Sequence, residues 1–172
     1  MVKEEQELMS TRKEKLDELR REVFKFLTSV LMIVVVFEFL IKIHICSDNN
    51  MSPAITKGSL VMSYCLDEPV KNDAVIYNSN GKTTVGRVIG TAGDEIDINE
   101  KGELFINGIQ ANEEIFYLTY QGGSSIKFPH TVEKDSYFIL NDYRENTDDS
   151  RSTGDVSKKN VYGPLIYAVS MY

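Results

Sequence analysis

Two kinds of hydrophobic pattern divide the chain. Residues 26 to 46, FLTSVLMIVVVFEFLIKIHIC, are apolar almost throughout, with no charge between Phe26 and Phe37. A helix needs about 20 apolar residues to cross a bilayer, so 26–46 is expected to be a transmembrane anchor. Glu38 and Lys42 stand four apart and are expected to pair on one helix face. Lys42 is also near enough to the end to snorkel. A buried core helix is the blander reading. The polar stretch before the span is too long for a cleavable signal peptide, and no small-residue cleavage site follows.

Before the span, residues 3 to 22, KEEQELMSTRKEKLDELRRE, are strong helix formers. Met9, Leu16, Leu19, Val23 and Phe26 fall near a 3,4 spacing, a stripe too short for a coiled coil. Residues 1–25 are therefore expected to be a solvated, charged helix, with weak self-association as the sharper alternative. Arg20, Arg21 and Lys25 precede the span and only Lys42 lies near its far end. That bias predicts a single pass through the cell membrane, N-terminus cytoplasmic and C-terminal bulk extracellular.

After Cys46 the period changes. Short runs rich in Val, Ile, Tyr and Phe alternate with turn residues: SLVMSYC, DAVIY, TTVGRVIG, EIDI, ELFI, SYFIL and PLIYAVSMY. These read as strands, and no stretch beyond 47 keeps a helical period. Asn107-Gly108 between apolar runs predicts a type I′ hairpin. QGGSS, residues 121 to 125, reads as a flexible connecting loop. Residues 47–172 are thus expected to form one mostly β, antiparallel domain.

Composition adds limits. The chain has 172 residues, 42% hydrophobic and 26% charged, which permits a packed core. Its net charge of −7 disfavours a nucleic-acid partner. The two cysteines, Cys46 and Cys65, and the two histidines, His44 and His130, lack the spacing of a metal site. No metal or cofactor is expected, and two free thiols are the blander alternative to a disulfide. KIHIC, ending at Cys46, lacks the small residue that lipoprotein processing prefers.

Four stretches carry a resemblance. They are SDNNMSP (47–53), KNDAVIY (71–77), GRVIGTAGDEI (86–96) and NDYRENTDDSR (141–151). In order and spacing they resemble the conserved boxes of type I signal peptidases, over most of residues 25 to 172. The resemblance implies an N-terminal transmembrane helix followed by an antiparallel β signal-peptidase-like domain. It also implies a serine nucleophile directly before Met51 and a lysine base directly before Arg87. Such a lysine must be neutral, with its pKa lowered by burial. Here those positions hold Asn50 and Gly86. A carboxamide is a poor nucleophile, and glycine has no side chain.

Neighbouring groups are poorly placed to substitute. Ser52 would sit roughly 6 to 7 Å along an extended segment, and Lys82 roughly 13 Å along its strand from position 86. A base must come within about 3 Å of its proton. Ser47, Ser59 and Ser63 read as ordinary surface or strand serines. Asp48, near the family's oxyanion donors, would repel a developing negative charge if it points inward. The pairs Arg87 with Asp142 and Asp149 with Arg151 resemble structural ion pairs of the family. Thr147 keeps a hydroxyl where the family has a serine beside its lysine. Asn72 and Asn141 replace glycines, and asparagine tolerates left-handed angles.

The resulting expectation is a pseudo-enzyme, with no catalytic residue and a peptide-binding set of Asp48, Asn50, Met51, Pro53, Gly86 and Thr147. The family grips extended peptide, a mode that rests on backbone hydrogen bonds and needs no dyad. The sequence further resembles the streptococcal signal-peptidase-like proteins that assist pilus assembly. That resemblance implies a pilin client and a nearby sortase. Two alternatives stand beside it. One is an active signal peptidase with a relocated nucleophile at Ser52 or Ser47. The other is a scaffold that acts through its N-terminal helix.

Overall fold

The computed structural model describes residues 2–112, 115, 117–121 and 126–170. The chain divides into two units, residues 1–39 and 40–172. The first is one helix, α1 (Val2–Leu40). Within it, Arg12–Leu40 is long and apolar enough to cross a membrane. Its apolar side chains, Phe24 through Phe39, stand exposed rather than packed into a core, which argues against the buried-helix reading.

The helix ends earlier than its hydrophobicity suggested. Residues 41–46 were expected inside the span, but β1 (Ile41–Ile45) pairs antiparallel with β2 (Leu60–Tyr64). Ile41, Ile43 and Ile45 alternate with polar residues and are β-branched, so the run suits a strand once a partner is present. The expected Glu38–Lys42 pair is accordingly not formed. Lys42 Nζ lies 4.7 Å from the centroid of the Tyr162 ring, a cation–π contact.

The remaining strands are β3 (Ala74–Ser79), β4 (Lys82–Thr91), β5 (Glu95–Ile98), β6 (Leu104–Ile106), β7 (Ile109–Gln110), β8 (His130–Thr131), β9 (Ser136–Leu140), β10 (Val156–Ser157) and β11 (Val161–Val169). One sheet runs β1-β2-β11-β3-β4-β9-β10 and a second runs β7-β6-β5-β8. Every pairing is antiparallel. The expected mostly β, antiparallel class is what the chain adopts. Beyond α1, the helices among the described residues are a single turn, α2 (Ser150–Thr153), and a 3-10 turn at Lys158–Asn160.

Strand alternation buries two faces of the larger sheet. Val61, Ile76 and Val85 pack with Cys46, Met51 and Ile55. Val75, Tyr77, Val88, Tyr137 and Ile139 pack on Val156. The smaller sheet closes over Ile89, Phe138 and Leu140. Asn107 and Gly108 both have positive φ, 53° and 76°, and join β6 to β7 as a type I′ turn requires. Cys46 is buried, Cys65 half-buried, and both are free thiols. Of the QGGSS loop, residues 122–125 lie outside the described residues.

Candidate functional site

The site is assembled from the 47–55 segment, β4 and the 141–151 loop. Residues 50–54 form turns rather than an extended run. Ser52 N donates to Asn49 O at 3.0 Å and Ile55 N to Met51 O at 2.8 Å. The extended geometry assumed for Ser52 is therefore absent, because local backbone bonds coil the segment. Met51 is buried in the core at 2% exposure and Pro53 is exposed, so neither shares a position with Asn50.

Asn50 is buried, and its polar groups face the 141–151 loop. Its Oδ1 accepts from Asn146 Nδ2 at 2.7 Å, and its carbonyl accepts from Tyr143 N at 2.9 Å. The loop itself is tied to a buried guanidinium. Arg151 Nε and an Nη bond the two oxygens of Asp149 at 2.9 and 2.7 Å. Its Nη groups also donate to the carbonyls of Arg144, Tyr120 and Asn146. Arg151 and Asp149 are essentially without exposure. A charge so deep needs this density of partners.

Asn141, expected to keep a left-handed turn, is not among the positive-φ residues. Its Nδ2 donates to the carbonyls of Asn146 and Asp148 instead. Asn72 does take φ 77°. The second pair is bidentate: Arg87 Nε donates to Asp142 Oδ1 at 2.7 Å and an Nη to Oδ2 at 2.5 Å. Arg87 and Asp142 border a cleft of about 510 Å³, together with Pro53, Ala54 and Tyr117.

Gly86 lies on β4 opposite Val75 of β3. A Cβ added there would fall 2.5 Å from Ile139 Cγ2 and 2.9 Å from Tyr77 Cε1. The volume any side chain at 86 would enter is already filled. Tyr77 is 1% exposed. Burial, reinforced by Asp149, Asp148 and Asp48, raises its hydroxyl pKa far above the ordinary value. Sequence reading missed Tyr77 because its meeting with position 86 depends on strand register.

Asp48 turns toward Asn50. Its Oδ1 lies 3.4 Å from Asn50 N, and its Oδ2 is 3.1 Å from Lys82 Nζ. The expectation that Lys82 is remote from this segment holds along the strand but not for its side chain, which reaches across to Asp48. Asn80-Gly81 places it there. Both have positive φ, 51° and 82°, and reverse β3 into β4. The sequence carries the same Asn-Gly turn signal at 80–81 as at 107–108. A recess of about 140 Å³ opens beside Asn50, Lys82 and Thr84.

The other candidates are accounted for structurally. Ser59 Oγ accepts from Thr56 N, and Ser63 Oγ donates to the carbonyls of Tyr162 and Gly163. Ser47 Oγ lies against Asp48. Thr147 contributes its carbonyl to Ser152 Oγ at 2.5 Å. Thus Asp48 lies between Asn50 and Lys82, Asn50 borders the recess, Gly86 is packed against Tyr77 and Ile139, Met51 sits in the core, and Pro53 borders the larger cleft. No group of three or more metal-ligating side chains occurs among the described residues.

The family model described as signal peptidase, peptidase S26, matches residues 19–169. The chain belongs to the S26 signal peptidase family. A signal peptidase I P from Bacillus subtilis subsp. natto is 29% identical over 152 residues, covering 80% of this chain and 81% of its own. An inactive signal peptidase IA from Staphylococcus aureus strain Mu50 is 24% identical over 159 residues, covering 84% and 90%. A crystal structure of a signal peptidase I from Enterococcus faecalis V583 superposes with a TM-score of 0.50 at 26% identity. It covers 58% of this chain and 97% of that one. Relatives of this signal-peptidase fold thus include one named as inactive, so membership by itself admits both outcomes for catalysis.

Proposed function

We propose that this protein is a membrane-anchored, non-catalytic signal peptidase homologue that holds an extended peptide of a secreted client. The observation that carries the reading is the packing at Gly86. By resemblance this is the position of the lysine base, and Tyr77 and Ile139 fill the space beside its Cα. Asn50, by resemblance at the serine position, spends its side-chain amide oxygen on Asn146. With neither an alkoxide source nor a base, the loss acts as one unit and leaves no useful turnover.

Holding needs only free strand edges, and the two sheets offer several among the described residues. β1 ends the strand order of the larger sheet. β4 pairs with β3 over Lys82–Arg87 but meets β9 only from Arg87 onward, so Lys82–Gly86 keeps one open edge among the described residues. The Asp48–Lys82 bridge joins the segment that follows β1 to the start of β4. An added peptide strand is gripped through backbone groups at such edges.

The Lys and Arg bias around α1 supports a cytoplasmic N-terminus and an extracellular β domain. Protease added to intact cells should then remove the β domain and leave α1 protected. The resemblance to pilus-assembly proteins supports a pilin as the client, with a sortase nearby. Purified full-length protein in micelles should leave a signal-peptide substrate uncut. Deleting the gene should stop pilus polymerisation while general secretion continues. Loss of secretion instead would favour an active peptidase with a relocated nucleophile.

A further inference from the structure

The recess beside Asn50 is polar, small and incompletely satisfied. Thr84 is 7% exposed, and its Oγ1 is buried with no hydrogen-bond partner. A buried hydroxyl without a partner is uncommon and costly unless something else completes it. Asn50 is equally buried, lines the same recess and uses Oδ1 on Asn146. Lys82, Asp148 and the Ser79–Asn80 turn form the rest of its wall.

We propose that this recess is a subsite for a serine or threonine side chain of the bound peptide, an inference that rests on the peptide-holding reading above. Its volume of about 140 Å³ suits a short side chain and is far below the several hundred Å³ of a small-molecule pocket. One hydroxyl can exchange a hydrogen bond with the orphan Thr84 Oγ1 and accept from the Asn50 amide nitrogen. Charge argues for a neutral occupant. Asp48 offsets the ammonium of Lys82 at 3.1 Å, so a carboxylate gains little there and meets Asp148. A second ammonium would meet Lys82. An alanine methyl would leave Thr84 unsatisfied.

The test uses full-length protein in micelles and blocked peptides of sequence Gly-Gly-Val-Ala-Val-Ala-Gly-Gly, with each alanine changed in turn to serine or threonine. Binding is read by calorimetry. The expected result is one position at which the hydroxyl strengthens binding about fivefold to tenfold, the worth of one net hydrogen bond. Thr84→Val keeps the shape, removes the hydroxyl and should bring the ratio to one, whereas Thr84→Ser should preserve it. Equal binding of alanine and hydroxyl peptides by the natural protein overturns the subsite and leaves the peptide-holding reading intact. A preference that survives Thr84→Val also overturns it. Binding of none of the peptides overturns both.

Discussion

The chemistry of this chain is decided at a few side chains, and packing matters there as much as identity. Gly86, where the resemblance places a lysine, offers no base. Tyr77 and Ile139 occupy the space that a side chain there would enter. Gly86→Ala should therefore destabilise the fold by about 1–3 kcal/mol, the usual cost of overpacking, read as a fall in Tm. The paired change Asn50→Ser with Gly86→Lys should yield no cleavage, and a lysine finds room only when Tyr77→Ala and Ile139→Ala are both added. Asn50→Ala strands the Asn146 amide and should cost about 1–3 kcal/mol in denaturant unfolding. That Asn50 and Gly86 stand where the resemblance places a serine and a lysine was read from the neighbouring box residues. Tyr77 and Asn146 were not. Each reaches its partner across strand register or a loop that folds back, and neither is visible in a linear pattern.

At the scale of elements, local signals were sound where chemistry is local. EIDI became β5, SYFIL became β9, and Asn107-Gly108 made its turn. The errors came where a remote partner chose between conformations, as when β2 drew IKIHI out of the helix. The turn at 91–95 joins β4 to β5 through Asp94. Burial alone would raise the Asp94 pKa. Bonds from the Thr91 amide, Asn107, Lys71 and the Thr91 hydroxyl outweigh it and hold the group down to about 2. The folded pKa lies below the ordinary 3.8, so this stability is present above that value and is lost as pH falls toward 2. Acid unfolding should show that slope, and Asp94→Asn should flatten it at a cost of roughly 2 kcal/mol near neutrality. The 141–151 loop depends on Arg151 in the same way. Arg151→Met leaves Asp149 buried and unpaired and should cost about 3–5 kcal/mol in urea unfolding.

The whole molecule joins a helix able to cross a membrane to a β domain that keeps the architecture of a peptidase. The order of the four boxes made that architecture readable, since it preserves which strands and loops meet. Whether the groove between them cuts or holds is a matter of three-dimensional fit. The most direct measurement follows one reaction with two readouts. Full-length protein in micelles is mixed with a fluorescent leader-peptide substrate; anisotropy reports binding and mass spectrometry reports cleavage. Saturable binding with intact substrate is the predicted result. A cleaved product that disappears with Ser52→Ala or Ser47→Ala would contradict it.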